Sequence, residues 1–260
     1  MPSIGVAGAE IYYESVGEGD PLVLIMGLGA DSRGWAMQRS PFAEHHRLIL
    51  VDNRGVGRSS IPTESFTTKE MAADVLAVLD AEGIERAHVL GVSLGGAIAQ
   101  ELAVAAPGRI RSLALGCTWA GPSVWRSRIR AVQLGILEEQ GVEALVRFRA
   151  LFIFSPTLFQ SSPGLMDVIE KTLSETGLEG YLRQLDAAEN HDARARLGSV
   201  AAPTLVMTGK RDILVPPELS AEVASLIPGA ELQLFETAHA IQLEEAERFN
   251  ETVLTFFSRH

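Results

Sequence analysis

Residues 91–95 read Gly91-Val92-Ser93-Leu94-Gly95 and lie between an apolar run and a segment with a helical pattern. A glycine–X–serine–X–glycine sequence between a strand and a helix predicts a sharp turn that presents the serine hydroxyl. The two glycines lack the Cβ atoms that would collide where backbone segments approach closely. The serine would then stand at the N-terminus of a helix, where backbone N–H groups favour developing negative charge. The turn therefore predicts that Ser93 is a nucleophile.

Short apolar runs alternate with helical patterns on both sides of this turn. A capping-box spacing from Thr67 to Glu70 opens one predicted helix. The other predicted helices cover residues 94–106, 217–226 and 242–257. The predicted strands cover residues 11–16, 22–26, 48–51, 86–92, 110–115, 204–208 and 231–235. This alternation predicts an α/β fold with a mostly parallel central sheet and helices on both faces.

One segment breaks the alternation. Residues 120–198 contain no clear strand, and their apolar spacing is helical. An ordinary crossover between parallel strands needs about 12 residues, so the excess predicts a helical cap insertion over one end of the sheet. Residues 1–119 and 199–260 would then form the core domain.

A serine nucleophile needs a base, and the base needs a carboxylate that orients it. Asp212 follows the predicted strand 204–208, and His239 follows the last predicted strand. The carboxyl ends of parallel strands meet at one edge of a sheet, so we expect Ser93, Asp212 and His239 to form a catalytic triad. The alternative interpretations are a turn aspartate and a solvated loop histidine.

Acyl transfer also needs two hydrogen-bond donors for the oxyanion. The backbone N–H of Leu94, directly after the nucleophile, is one candidate. The second is the backbone N–H of Leu28, in the loop Met26-Gly27-Leu28-Gly29 after a predicted strand. A glycine-rich turn that only reverses the chain is the alternative.

With these motifs in this order, the sequence resembles the α/β-hydrolase superfamily over nearly its whole length. Within it, the chain is similar to small capped enzymes: 3-oxoadipate enol-lactonases, polyketide methylesterases and cofactor-free haloperoxidase-like esterases. The chain departs from these relatives at Met26, where a histidine is usual, and at Val92, where histidine or glutamine is frequent. Related dehalogenases and epoxide hydrolases carry aspartate at the elbow, so Ser93 argues against both. The motifs that carry the resemblance are Met26-Gly27-Leu28-Gly29, Asp52-Asn53-Arg54-Gly55-Val56-Gly57-Arg58-Ser59, the serine turn, Gly209-Lys210-Arg211-Asp212 and Ala238-His239.

The resemblance implies a serine hydrolase that cleaves a carboxylic ester or lactone through an acyl-enzyme, without a cofactor. A C–C bond hydrolase, a thioesterase or a perhydrolase would use the same triad. A ligand receptor that retains the fold is a third class, although binding alone does not require a triad. His45-His46 and His191-Asp192 lack the ligand spacing of a zinc site, so no metal is expected.

The cap should supply the substrate pocket, and we place Trp119 and Trp125 in its wall. The alternative is that most aromatic residues of this segment form the cap's own core. Arg126, Arg128 and Arg130 stand out in an acidic protein. They form either a solvated helix face or a site that attracts a carboxylate substrate.

Composition narrows the class of partner. The formal net charge is −11, which argues against nucleic acid and anionic membranes as partners. One cysteine excludes an internal disulfide, and no secretory signal or membrane-spanning apolar run is evident. We therefore expect a cytoplasmic enzyme that acts on a small molecule. The sequence leaves the oligomeric state open.

Overall fold

The computed structural model describes residues 2–162, 164 and 177–260. Its strands are β1 (Ser3–Val6), β2 (Ala9–Val16), β3 (Asp20–Ile25), β4 (His46–Val51), β5 (Ala87–Val92), β6 (Ile110–Gly116), β7 (Thr204–Gly209) and β8 (Glu231–Phe235). They form one sheet in the order β1-β2-β4-β3-β5-β6-β7-β8. Strand β2 pairs antiparallel with both β1 and β4, and all the other pairs are parallel. The predicted mostly parallel sheet is confirmed.

Helices cover both faces of this sheet. They are α1 (Ala36–Ala43), α2 (Thr68–Ala81), α3 (Leu94–Ala105), α4 (Val124–Gln140), α5 (Val142–Ile153), α6 (Pro156–Ser161), α7 (Leu178–Glu189), α8 (Pro217–Leu226), α9 (Ile241–Glu244) and α10 (Ala246–Phe257). Helix α2 begins with the predicted capping box, in which the Thr67 and Glu70 side chains each accept a backbone N–H of the other residue. Such a cap stabilises a helix by about 1 kcal/mol.

The alternation of side chains along the strands separates two hydrophobic cores. In β3, Val23 and Ile25 contribute to the core under α2 and α3, whereas Leu22 and Leu24 contribute to the core under α1 and α10. All four side chains are completely buried. A strand covered on both faces is apolar at every position, which is why the sequence reads as a continuous apolar run there.

Three features differ from the sequence-based prediction. Strand β1 and helix α1 were not predicted: β1 is short and half exposed, and α1 contains Pro41, which normally interrupts a helix. The predicted helix 242–257 is instead two helices that break at Glu245. There Glu245 has φ −124° and ψ 52°, which is not helical, and its carboxylate accepts the Glu236 N–H at 3.0 Å.

The segment predicted as a cap lies between β6 and β7 and contains α4 to α7. Its described part is helical, and Leu145, Tyr181 and Leu185 form a small core of their own. The rest of the predicted segment, residues 163 and 165–176, lies outside the described residues. The division at residues 120 and 198 remains a prediction. None of the helices in the described part combines the length and the hydropathy needed to cross a membrane.

The turn between β5 and α3 is crowded on every side. Ser93 has φ 56° and ψ −119°, a region that residues with a side chain rarely occupy. A Cβ atom on Gly91 would lie 2.2 Å from the Gly95 carbonyl oxygen. One on Gly95 would lie 2.1 Å from the Ile25 carbonyl oxygen of β3. Helix α3 therefore leaves the sheet at its observed angle only with glycine at both positions.

The crowding predicts opposite effects of two glycine-to-alanine substitutions. Gly95→Ala should lower the free energy of unfolding by about 1–3 kcal/mol, because backbone must move to admit the methyl group. Gly135→Ala is the matched control, since Gly135 lies inside α4 with no neighbouring atom within 4 Å of the added carbon. It should raise stability by about 0.5–1 kcal/mol. Denaturant titration measures both, and a Gly95→Ala protein as stable as the wild type would contradict this packing.

Candidate active site

The loops at the carboxyl edge of the sheet bring the predicted triad residues to one region. Ser93 follows β5, Asp212 follows β7 and His239 follows β8. The backbone of the serine turn is held from two sides. The Ser93 N–H donates to the Gly116 carbonyl at 2.7 Å, and the Thr118 hydroxyl donates to the Ser93 carbonyl at 2.9 Å. These bonds support the unfavourable backbone conformation of the serine.

Asp212 and His239 form a buried hydrogen bond. The His239 Nδ1 atom lies 2.6 Å from the Asp212 Oδ2 atom. The second carboxylate oxygen, Oδ1, accepts the N–H groups of Leu214 and Val215 at 2.9 and 2.8 Å. An ionised carboxylate can only accept hydrogen bonds, so Nδ1 carries the imidazole proton. The Nε2 atom is then the basic nitrogen of the ring.

Backbone pairing fixes the two loops that carry this hydrogen bond. The Lys210 N–H donates to the Phe235 carbonyl at 2.8 Å, and the Arg211 N–H donates to the Thr237 carbonyl at 2.9 Å. The ladder between β7 and β8 thus continues beyond both strands. It positions the carboxylate and the imidazole relative to each other.

Ser93 and His239 line one cavity of about 150 Å³. Its wall is largely apolar and includes Ile129 and Ile153 from the predicted cap and Leu214 from the loop of Asp212. A cavity of this size accommodates a molecule about as large as benzene. The site therefore suits a small substrate with an apolar part.

The two predicted pocket tryptophans lie in different places. Trp119 is buried and lines the cavity. Trp125 is 48% exposed and is not among the described residues that border the cavity. Its indole N–H donates to the Ile213 carbonyl at 2.7 Å. Trp125 thus ties α4 to the loop that carries Asp212.

The loop after β3 packs against the nucleophile. A Cβ atom on Gly27 would lie 3.0 Å from the Ser93 Cβ atom. The Leu28 carbonyl accepts an Arg149 N–H at 3.3 Å, and the Leu28 N–H has no partner among the described residues. Leu94 is the first residue of α3, so its N–H has no partner within the helix. Gly27, the chain neighbour of Leu28, thus lies against Ser93, and the role of the Leu28 and Leu94 N–H groups as oxyanion donors stays a prediction.

Gln184 supports this loop and was not found by sequence reasoning. It lies on α7, is completely buried, and its side-chain oxygen accepts the Gly29 N–H at 2.9 Å. Its side-chain nitrogen donates to the Arg54 carbonyl at 2.9 Å. One amide thus links the predicted cap to two loops of the core. A glutamine in a polar helix carries no local signal of that role.

Cys117 is a third side chain beside the hydrogen-bonded pair. Ligand atoms of Cys117, Asp212 and His239 lie within 4.8 Å of one another, an arrangement that could hold a metal. In a tetrahedral zinc site, however, nitrogen and oxygen ligands at about 2.0–2.2 Å from the ion are roughly 3.3–3.6 Å apart. The 2.6 Å separation of Nδ1 and Oδ2 is that of a direct hydrogen bond instead.

The electrostatics of Cys117 agree with a protonated thiol. Burial and the negative charge of Asp212 raise the pKa of the Cys117 thiol well above its usual value.

Comparisons with known proteins place the chain in a family. The family model for the alpha/beta hydrolase fold matches residues 20–246. The chain belongs to this family and is a hydrolase.

Individual relatives match over nearly the full chain. The putative carbamate hydrolase RutD of Azorhizobium caulinodans is 36% identical to this chain, and the match covers 98% of each of the two chains. The enol-lactonase of Burkholderia xenovorans LB400 has a TM-score of 0.91 at 29% identity, over 99% of this chain and 100% of its own. Est816, an N-acyl homoserine lactone degrading enzyme, has a TM-score of 0.87 at 29% identity, over 98% of this chain and 100% of its own.

The environment of Cys117 predicts a slow thiol. In the native protein at pH 8, a disulfide reagent such as dithionitrobenzoate should modify this single cysteine far more slowly than a free thiol, because the thiolate is the reactive form. In denaturant the same titration should release one equivalent of thionitrobenzoate at once, which is the control. Rapid modification of the native protein would contradict both the burial and the raised pKa.

Proposed function

We propose that the protein is a serine hydrolase that cleaves a small carboxylic ester or lactone through an acyl-enzyme intermediate. The observation that carries the proposal is the 2.6 Å hydrogen bond between Asp212 and His239. His239 lines the same cavity as Ser93, the serine at the sharp turn after β5. A buried carboxylate that orients an imidazole beside a serine is the arrangement that activates a hydroxyl nucleophile.

Each residue has a defined role in the proposed reaction. The Nε2 atom of His239 takes the proton of the Ser93 hydroxyl as the oxygen attacks the carbonyl carbon. The N–H groups of Leu28 and Leu94 bind the oxyanion of the tetrahedral intermediate. The imidazolium then gives its proton to the leaving alcohol oxygen. A water, deprotonated by Nε2, then attacks the acyl carbon. The bond from that carbon to the Ser93 oxygen breaks, the imidazolium returns its proton to this oxygen, and the acid is released.

The Asp212 carboxylate serves this cycle without changing its own protonation. It holds Nδ1 as the donor and stabilises the imidazolium that forms twice per turnover. The N–H groups of Leu214 and Val215 donate to Oδ1 of this carboxylate and fix its orientation.

Two of the structural relatives support a lactone, which is a cyclic ester, as the substrate class, since one is an enol-lactonase and another is an N-acyl homoserine lactone degrading enzyme. A carbamate is the second candidate, because the curated relative at 36% identity is a putative carbamate hydrolase. A carbamate carbonyl would be attacked by the same serine, and only the atoms on the carbonyl carbon differ. Rates on matched p-nitrophenyl esters, lactones, carbamates, thioesters and β-diketones separate these classes.

Labelling and mutation test the proposed nucleophile together. A fluorophosphonate should form one covalent adduct per chain on Ser93, located by peptide mass spectrometry. Ser93→Ala should abolish labelling and lower kcat by about 10⁶-fold, and Asp212→Asn should lower kcat by about 10⁴-fold.

Ser225→Ala is the matched control, because Ser225 is an exposed serine on α8; it should label and turn over like the wild type. An adduct on another residue, or Ser93→Ala activity within tenfold of the wild type, would contradict the proposal.

A further inference from the structure

The loop after β3 is held by hydrogen bonds on the N-terminal side of the Leu28 N–H, the proposed oxyanion donor. The buried Asn53 side chain donates to the Met26 carbonyl at 3.0 Å. The peptide that carries the Leu28 N–H has the Gly27 carbonyl at its other end, and this carbonyl accepts the Ala30 N–H at 3.2 Å. The Leu28 N–H itself has no partner among the described residues.

The next peptide, between Leu28 and Gly29, is held at both ends by helices of the predicted cap. Its N–H, on Gly29, donates to the side-chain oxygen of Gln184 on α7 at 2.9 Å. Its carbonyl, on Leu28, accepts an N–H of Arg149 on α5 at 3.3 Å. Gly29 has φ 73°, as at the third position of a type II turn, and rotation of this peptide would change the turn type. Two side chains bonded to opposite ends of one peptide oppose that rotation.

The amide of Gln184 has one possible orientation. The Gly29 N–H can only donate a hydrogen bond, and the Arg54 carbonyl, which lies 2.9 Å from the amide nitrogen, can only accept one. Both of these backbone groups belong to buried core residues, and the Gln184 side chain is completely buried. Loss of the amide would leave the two groups buried without these partners, so the loop would rearrange to recover hydrogen bonds.

A contact between backbones fixes the place of Gln184. A Cβ atom on Gly180, one helical turn earlier, would lie 1.8 Å from the Gly55 carbonyl oxygen. Residues four apart share one face of a helix, so this contact and the Gln184 amide meet the same core loop. That loop is held in turn, because the Arg54 guanidinium forms a buried ion pair with Asp74 at 2.6 Å. Helix α7 therefore keeps the amide at a fixed position relative to the core.

We propose that Gln184 is a positioning residue of the proposed reaction: its amide, together with Arg149, fixes the peptide after Leu28 and thereby holds the Leu28 N–H where the oxyanion forms. This inference rests on the proposed function and assigns part of its transition-state stabilisation to the cap. The peptide with the Leu28 N–H lies between two peptides that are held by side chains. A donor that is oriented before the reaction stabilises developing charge without a cost of reorganisation.

The expected signature is a loss in kcat rather than a rise in KM. An oxyanion donor acts more strongly on the transition state than on the ground-state carbonyl. Removal of one such donor costs about 10²–10³ in kcat, and a donor that is displaced rather than removed should cost less. Gln184→Met, which keeps the length of the side chain without its amide, should lower kcat for p-nitrophenyl butyrate by about 10- to 100-fold, with KM within about twofold of the wild type.

Two ketones of the same chain length separate positioning from a structural role. Trifluoromethyl butyl ketone forms a tetrahedral adduct, in which the Ser93 oxygen bonds to the carbonyl carbon, the hydroxyl proton passes to His239 and the ketone oxygen becomes the oxyanion. Methyl butyl ketone binds without this addition. Inhibition of p-nitrophenyl butyrate turnover gives the inhibition constant of each. Gln184→Met should weaken the trifluoromethyl ketone by about 10- to 100-fold and change the methyl ketone by less than about twofold.

Gln38→Met is the matched control. Gln38 is also a completely buried glutamine, but its side chain donates to the Gln242 carbonyl and to Asn250 at 2.8 and 2.9 Å, and neither belongs to the loop after β3. This substitution should lower stability, whereas the ratio of the two inhibition constants should stay that of the wild type. Thermal unfolding reports whether each variant folds. If Gln184→Met does not fold, Gln184→Asn takes its place with the same loss expected, because its shorter amide does not reach both loops.

The outcomes distinguish this inference from the proposed function. An equal loss for both ketones in Gln184→Met, or no loss for either, would overturn the positioning role even if Ser93 is the nucleophile. A ratio that falls as far in Gln38→Met would overturn it too, since the loss would then follow from destabilisation alone. Equal inhibition of the wild type by the two ketones would instead contradict the serine nucleophile and, with it, this inference.

Discussion

The close approach of the turn after β5 to the end of β3 is the constraint on which the rest of this site depends. A Cβ atom added to Gly95 would lie only 2.1 Å from the Ile25 carbonyl oxygen. Helix α3 therefore begins directly over the edge of the sheet. That position places Ser93 against the loop of Gly27 and on the same cavity as His239. The strain in the serine backbone is borne by hydrogen bonds to Gly116 and Thr118, residues at and just beyond the end of β6.

A parallel sheet allows the residues of this site to meet through short loops. Strands β3, β5, β6, β7 and β8 all end at one edge, so residues far apart in sequence come together without long excursions of the chain. The predicted cap then closes the site through a few defined contacts. Gln184 bonds to two core loops, and Arg149 bonds to the Leu28 carbonyl. These contacts connect helices that line the cavity to the loop proposed to bind the oxyanion.

The sequence was informative wherever the constraint is local. The glycines of the serine turn are required because a Cβ atom would collide there, and the capping box marks the start of α2. Strands that are buried on both faces are apolar at every position. The sheet and most of its strands could therefore be predicted. Features that depend on contacts with residues far away in the sequence could not be predicted. The Glu245 carboxylate at the break between α9 and α10 accepts the N–H of Glu236, the first residue after β8, and Gln184 looks like any polar helix residue. Trp119 and Trp125 were indistinguishable in sequence, yet only Trp119 lines the cavity.

In the proposed reaction, the Ser93 oxygen attacks a carbonyl whose oxyanion lies between the N–H groups of Leu28 and Leu94 while His239 transfers the proton. A crystal structure of the protein inactivated by a small alkyl phosphonate tests it most directly. We expect a bond from phosphorus to the Ser93 oxygen, with the phosphoryl oxygen about 2.7–3.1 Å from both backbone nitrogens and Nε2 of His239 within hydrogen-bond distance of the serine oxygen. A phosphoryl oxygen directed away from both N–H groups, or an imidazole out of reach of the serine, would contradict the account.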